Sequence, residues 1–257
     1  MKFRLKAFGL HLAASATVLS LVLVALYAGW YRWPGWYVTG VVHIVAIMVG
    51  VDAALGPSLT LVIANPLKPR RELARDIGII VTVQIVALLY GTFTLWEGRP
   101  LYYTFSQDRL EFVQASVLRP DEVERGLREN PALAPHWYSL PRWVWAPLPE
   151  DPDERSRIIN SAITAGQDVI DMPRYFRPWE QGLPALRQHL RTVDLTTVFA
   201  PSEQRSLKQR MVELGLPADE PVTLFMLGRD ARLLVVFDPA TLEIRAMLPA
   251  PEGRTIR

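Results

Sequence analysis

The chain has 257 residues, half of them hydrophobic, with a formal net charge of +2 and a mean hydropathy of +0.13, which is high for a wholly soluble protein. Through Pro100, nine Lys and Arg stand against four Asp and Glu, whereas the remainder is slightly acidic, so the pI near 9.0 reflects charge at membrane edges and excludes a nucleic-acid-binding face. Cysteine is absent, which excludes disulfides, thiolate metal sites and a cysteine nucleophile.

The first apolar stretch runs from Phe8 to Tyr31, longer than the ~20 residues that carry a helix across the hydrocarbon core. Its length and its crowded aromatic end (Tyr27, Trp30, Tyr31) point to an uncleaved anchor and not a signal peptide, whose apolar region is only ~7–15 residues. Second and third stretches follow at Tyr37–Ala64 and Ile77–Trp96, so residues 1–98 form a three-helix transmembrane region. Lys2, Arg4 and Lys6 precede the first span and Lys68, Arg70, Arg71 and Arg75 lie between the second and third, while only Arg32 lies between the first and second. By the positive-inside rule the N-terminus is expected in the cytoplasm and the C-terminal region outside. Trp33, Trp36 and Tyr37 in the first loop, and Tyr90, Phe93 and Trp96 late in the third span, match an aromatic interface.

Asp52 falls near the middle of the second span, where a carboxylate costs about 2.5–3.5 kcal/mol on insertion scales. A helix places His43 on the opposite face, which argues against a His43/Asp52 pair. Ala46, Gly50, Ala54 and Ser58 recur at every fourth position and form a small-residue ridge suited to close helix approach, about 200° around the helix from Asp52. Pro57 lacks an N–H and so leaves the Ala53 carbonyl unpaired, which should kink or loosen the helix beside Asp52, with Ser20 and Gln84 as neighbours able to hydrogen-bond the acid. His11 is expected at the cytoplasmic edge. The candidate helix-contact or partner-binding residues are therefore Ala46, Gly50, Asp52, Ala54, Gly56, Pro57 and Ser58.

Residues 99–257 have the length of one domain. Strands are expected at Tyr102–Phe105 and Leu110–Ala115, a helix at Asp121–Arg128, and irregular structure over the Pro- and Trp-rich stretch Pro131–Pro152. Helices follow at Glu154–Ile170, Leu183–Leu190 and Glu203–Leu214, the last with Ser202 as N-cap and Gly215 as stop. Three strands close the chain, Val222–Leu227, Arg232–Phe237 and Leu242–Leu248, joined by turns at Gly228–Arg229–Asp230 and Asp238–Pro239. The all-apolar middle strand should be central, and the alternation Leu242, Ile244, Ala246, Leu248 should bury one face of the last. The expectation is an α+β extracytoplasmic domain ending in a three-stranded antiparallel meander. No G-x-S-x-G, H-E-x-x-H, P-loop or dinucleotide fingerprint occurs, and His136 and His189 lack ligand spacing, so neither enzyme, metal nor cofactor is expected.

The segments Lys6-Ala7-Phe8-Gly9-Leu10-His11-Leu12, Gly50-Val51-Asp52, Leu55-Gly56-Pro57, Leu59-Thr60-Leu61 and Pro66-Leu67-Lys68-Pro69 resemble the TfpX/TfpZ family of type IV pilin accessory proteins. Arg99-Pro100, Phe105, Asp108-Arg109 and Asp238-Pro239-Ala240-Thr241 continue the resemblance, which covers the whole chain. It implies an inner-membrane helper that assists assembly or stability of a cognate major pilin, with no catalytic residues. The chain is not itself a pilin in pattern: Gly9 is followed by Leu10 where a prepilin has Phe, and no acid occurs before Asp52. The other reading is an envelope sensor with an outer ligand-binding domain. Against it, the inner side offers only a short N-terminus and the loop Asn65–Asp76, too little for an output domain.

Overall fold

A computed structural model describes residues 1–195, 199–217, 221–229 and 231–250. The chain folds as two compact units, one holding Met1–Trp36 and Val41–Gly98, the other holding Tyr37–Gly40 and the chain from Arg99 onward.

The first unit contains three helices long and apolar enough to cross a membrane. Helix α1 is Lys2–Gly29. After a single helical turn at Gly35–Val38 (α2), the second long helix begins at Val42, not Tyr37, and runs as α3 (Val42–Val49), a π-helical segment (Gly50–Leu55) and α4 (Gly56–Ile63). Helix α5, Arg70–Glu97, starts two turns before the apolar run that signals it, because the charged first turns are good helix formers. Pro57 explains the π segment. With no proline N–H to continue the α pattern, the Gly56 N–H reaches back five residues to the Val51 carbonyl, and the ladder widens around Asp52. Leu19, Leu26, Tyr31, Met48 and Leu95 form the buried apolar contact of this unit, and the Tyr31 hydroxyl donates to the Leu95 carbonyl at 2.6 Å.

The second unit is built on an eight-stranded mixed sheet of order β4-β3-β1-β2-β6-β7-β8, with β5 also paired to β6. The strands are β1 Pro100–Ser106, β2 Arg109–Gln114, β3 Arg142–Trp145, β4 Arg177–Pro178, β5 Arg191–Thr192, β6 Val222–Leu227, β7 Arg232–Phe237 and β8 Ile244–Ala250. The expected antiparallel run β6–β7–β8 is present, yet it is one end of this sheet and not a separate meander. Two parallel pairings, β1 with β3 and β2 with β6, join the halves. Strand β3 lies inside the stretch read as irregular; four residues flanked by prolines are too short to show a period, and pairing with β1 and β4 makes them a strand.

Side chains alternate across the sheet. Tyr103, Phe105, Leu233, Val235 and Phe237 face one core, while Tyr102, Val144, Leu234 and Val236 face the other side. Strand β7 is therefore buried on both faces, although it stands one place in from the sheet edge. The last strand starts at Ile244; Leu242 is buried but lies in the preceding turn with φ of 60°. The Asp230 position of the β6–β7 turn lies outside the described residues.

Helices α6 (Pro120–Glu129), α7 (Pro152–Ala165), α8 (Leu183–His189) and α9 (Pro201–Glu213) complete the domain. Helix α9 ends before Gly215, whose φ of 68° suits a helix stop. Its N-cap is Ala200 and not Ser202, because the Glu203 carboxylate accepts from the Ala200 N–H at 3.2 Å. Tyr37–Gly40, expected to begin the second span, instead belongs to this unit. Val38 is fully buried in the core with Phe105, Met226 and Leu233, and its carbonyl accepts from the Arg229 N–H at 2.7 Å.

Candidate functional site

Four polar residues of the first unit, His11, Asp52, Thr60 and Gln84, converge on its interior. The π segment withdraws the Gly56 N–H from the Asp52 carbonyl, and the Gln84 amide of α5 supplies the replacement donor at 3.0 Å. In hydrocarbon a freed backbone carbonyl has no water to turn to, so a neighbouring helix must satisfy it. The Gln84 carbonyl oxygen lies 2.7 Å from His11 Nε2, and His11 Nδ1 lies 2.6 Å from the Thr60 hydroxyl. A neutral imidazole protonated on Nε2, donating to Gln84 and accepting from Thr60, satisfies every contact. One connected chain thus ties α1, the second long helix and α5 together.

Gly56 makes this chain possible, since a methyl there would overlap the Gln84 amide. Asp52 is 4% exposed, and its Oδ1 has no hydrogen-bond partner among the described residues. It lines a cavity of about 210 Å³ with His11, Ser15, Gln84 and the apolar walls of α1 and α5.

The candidate residues divide between two faces. Asp52, Gly56 and Pro57 are buried inside the unit, whereas Ala46, Gly50, Ala54 and Ser58 are all exposed on its outside. His43 is exposed and takes no part, and Ser20 is exposed, so Gln84 alone of the two expected neighbours reaches the Asp52 residue. His11, expected at the cytoplasmic edge, was not expected to join the helices, yet it is a member of this chain. Thr60 was likewise missed as a partner; the one signal available was that the two polar side chains sit in otherwise apolar helices.

In the second unit, His136 is stacked on Tyr138 with ring centroids 5.4 Å apart. His189 lines a cavity of about 380 Å³ with Asp108, Arg191 and Thr223, where β5 and β2 share one edge of β6. No hydrogen bond joins either histidine side chain to an acid, and no group of three or more metal-ligating side chains occurs, among the described residues. Burial pushes the Asp171 carboxyl up to about 6, although it accepts from the Asp168 N–H.

The chain is similar to three fimbrial assembly proteins of Dichelobacter nodosus. The serogroup I protein is 23% identical over 241 residues, 92% of this chain and 91% of that protein. The serogroup E1 protein is 22% identical over the same shares. The protein of serogroups C1 and C2 is 28% identical over 121 residues, 47% of this chain and 92% of that protein. No family model and no solved structure matches the chain.

Proposed function

We propose that this protein is a non-enzymatic accessory factor of type IV fimbrial assembly, of the TfpX/TfpZ kind, anchored in the bacterial inner membrane. Its N-terminus lies in the cytoplasm and its mixed-sheet domain in the periplasm. It assists a cognate major pilin in the manner of a chaperone: the spans contact the pilin's apolar N-terminal helix, and the outer domain contacts the pilin head. The observation that carries this reading is similarity to fimbrial assembly proteins along 92% of the chain. The helix arrangement supports it, because the ridge Ala46, Gly50, Ala54 and Ser58 is turned outward where another helix can approach closely. Asp52, Gly56 and Pro57 set the geometry behind that ridge.

The test is complementation of a deletion strain. Wild-type chain should restore pilin recovery and surface pili, and Gly50→Leu together with Asp52→Ala should lower both while still inserting. Full piliation by the inserted double variant would remove the contact model, and unchanged piliation in the deletion strain would remove the assembly role. The cavity beside His189 favours a second reading, an envelope sensor with a periplasmic ligand site. Co-purification separates the two: a pilin supports assembly, a kinase or receptor subunit supports sensing.

A further inference from the structure

We infer that the aromatic tip of the loop between α6 and β3 seats in the head-group layer of the bilayer that α5 spans, so that the second unit grips the lipid surface through Trp137, Tyr138 and Leu140. These three side chains are 72%, 59% and 58% exposed. A turn closed by the Ser139 N–H on the His136 carbonyl at 3.0 Å, and by the His136 N–H on the Ser139 hydroxyl at 2.8 Å, carries Trp137 and Tyr138 at its tip. Tyr138 stacks on His136 and meets Trp137 edge-on, with ring centroids 5.5 Å apart. The loop backbone is held from within the domain. The Tyr102 hydroxyl donates to the Leu133 carbonyl at 2.7 Å, Arg142 to the Ala132 and Ala134 carbonyls, and Arg99 to the Trp137 carbonyl at 3.3 Å. With these carbonyls satisfied inward, the loop presents its rings outward as a fixed surface.

What the rings meet follows from where the loop is tied. Arg99 is buried, and it is the residue after Gly98, the C-cap of α5. One arginine side chain therefore separates the loop from the point at which the chain leaves a helix long and apolar enough to cross a membrane. The charge pattern agrees. Residues 131–149 contain no Asp or Glu and a single Lys or Arg, Arg142, whose guanidinium is held by the two alanine carbonyls. Lipid phosphates thus meet no carboxylate from this stretch. Trp and Tyr, each with an apolar body and a polar edge, concentrate at the level of the head groups. An irregular loop can go no deeper, because hydrocarbon would leave its remaining amides unpaired. The inference rests on α5 being a membrane span and does not depend on a role in fimbrial assembly.

The test uses the full chain, which has no native cysteine, so that one introduced cysteine carries one environment-sensitive fluorophore. Leu140→Cys reports on the loop with its rings intact, and Phe93→Cys reports on an exposed position near the end of α5. Val212→Cys is the control, exposed on α9, which packs against β7 and β8 at the far end of the sheet from β3. Each labelled chain is reconstituted in vesicles of phosphatidylcholine and phosphatidylglycerol and quenched by nitroxide-bearing lipid or by aqueous iodide. The Leu140 label should be quenched by the lipid nitroxide and protected from iodide, at a depth of about 5–10 Å in the boundary between head groups and acyl chains. The Val212 label should show the reverse. Trp137→Ser together with Tyr138→Ser should return the Leu140 label to the Val212 pattern; both side chains are exposed, so the fold is kept, as circular dichroism checks. A Leu140 label open to iodide and untouched by the lipid nitroxide overturns the proposal and leaves the cluster to a protein partner. Lipid quenching that survives loss of both rings overturns it as well. A Phe93 label in water would remove the span reading itself, and with it the tether that places the loop.

Discussion

Gly56→Ala is the smallest change that opens the polar chain. The added methyl would occupy the place of the Gln84 amide, so Gln84 must swing away and release both the His11 ring and the Asp52 carbonyl. Interhelical hydrogen bonds in membranes are worth about 0.6–2 kcal/mol each, and two are lost, for about 3 kcal/mol with the buried groups left unpaired. Alanine returns up to about 1 kcal/mol through helix propensity, leaving a net loss of about 2 kcal/mol. Gly50→Ala is the control, since nothing lies within 4 Å of a Cβ there, and it should be neutral or slightly stabilising. The assay is reversible unfolding of the full chain in mixed micelles by titration with dodecyl sulfate, followed by circular dichroism. A double-mutant cycle completes it: in a Gln84→Ala background only the propensity gain remains, so Gly56→Ala should be neutral or stabilising by up to about 1 kcal/mol and the coupling energy should be about 3 kcal/mol. If Gly56→Ala costs no more than Gly50→Ala, or if its cost persists without Gln84, the chain from His11 to Asp52 does not hold these helices together.

Two further predictions concern the second unit. Val38→Ala removes two buried carbon groups from a site shared with Phe105 and Leu233, and should destabilise the sheet domain by about 2 kcal/mol in denaturant unfolding, whereas Val42→Ala, exposed on α3, should leave it unchanged. Asp171 has a folded-state pKa of about 6, raised from the ordinary 3.8 by burial, so the folded state binds the proton more tightly and stability falls as pH rises from about 4 to about 6. Asp171→Asn keeps an acceptor for the Asp168 N–H and should flatten that dependence, stabilising the protein above pH 6 by about 1 kcal/mol after discounting for partial exposure; an unaltered pH profile in thermal melts would contradict this.

The inward and outward faces of the second long helix show how far local reasoning reaches. Spacing alone separates Asp52 from the ridge, because residues four apart share a face on any helix and a residue two away does not. The same reasoning places Pro57 as the cause of a local loosening. It pointed to the Ala53 carbonyl and could not say that the loosening takes the form of a π segment with the Asp52 carbonyl bonded across, because that depends on Gln84, 32 residues onward. His11 and Thr60 were not paired for the same reason: 49 residues separate them, and no period in either helix reports on the other.

In the second unit the helices with proline or acidic starts and the antiparallel strands β6 to β8 are written in local composition and alternation. The joining of the two sheet halves is not. Strands β1 and β3 pair in parallel, as do β2 and β6, across long connections, and Tyr37–Gly40 leaves an apolar run to enter a core whose other members begin beyond Arg99. By itself, then, the sequence determined the three apolar helices, the buried acid between them and most of the domain's elements, since hydropathy, period and capping act over a few turns of chain. Only the tertiary structure decided the mixed sheet, the place of Val38 and the linkage of His11, Gln84 and Asp52, because each is a contact between residues far apart in sequence whose side chains would be equally at home with other partners.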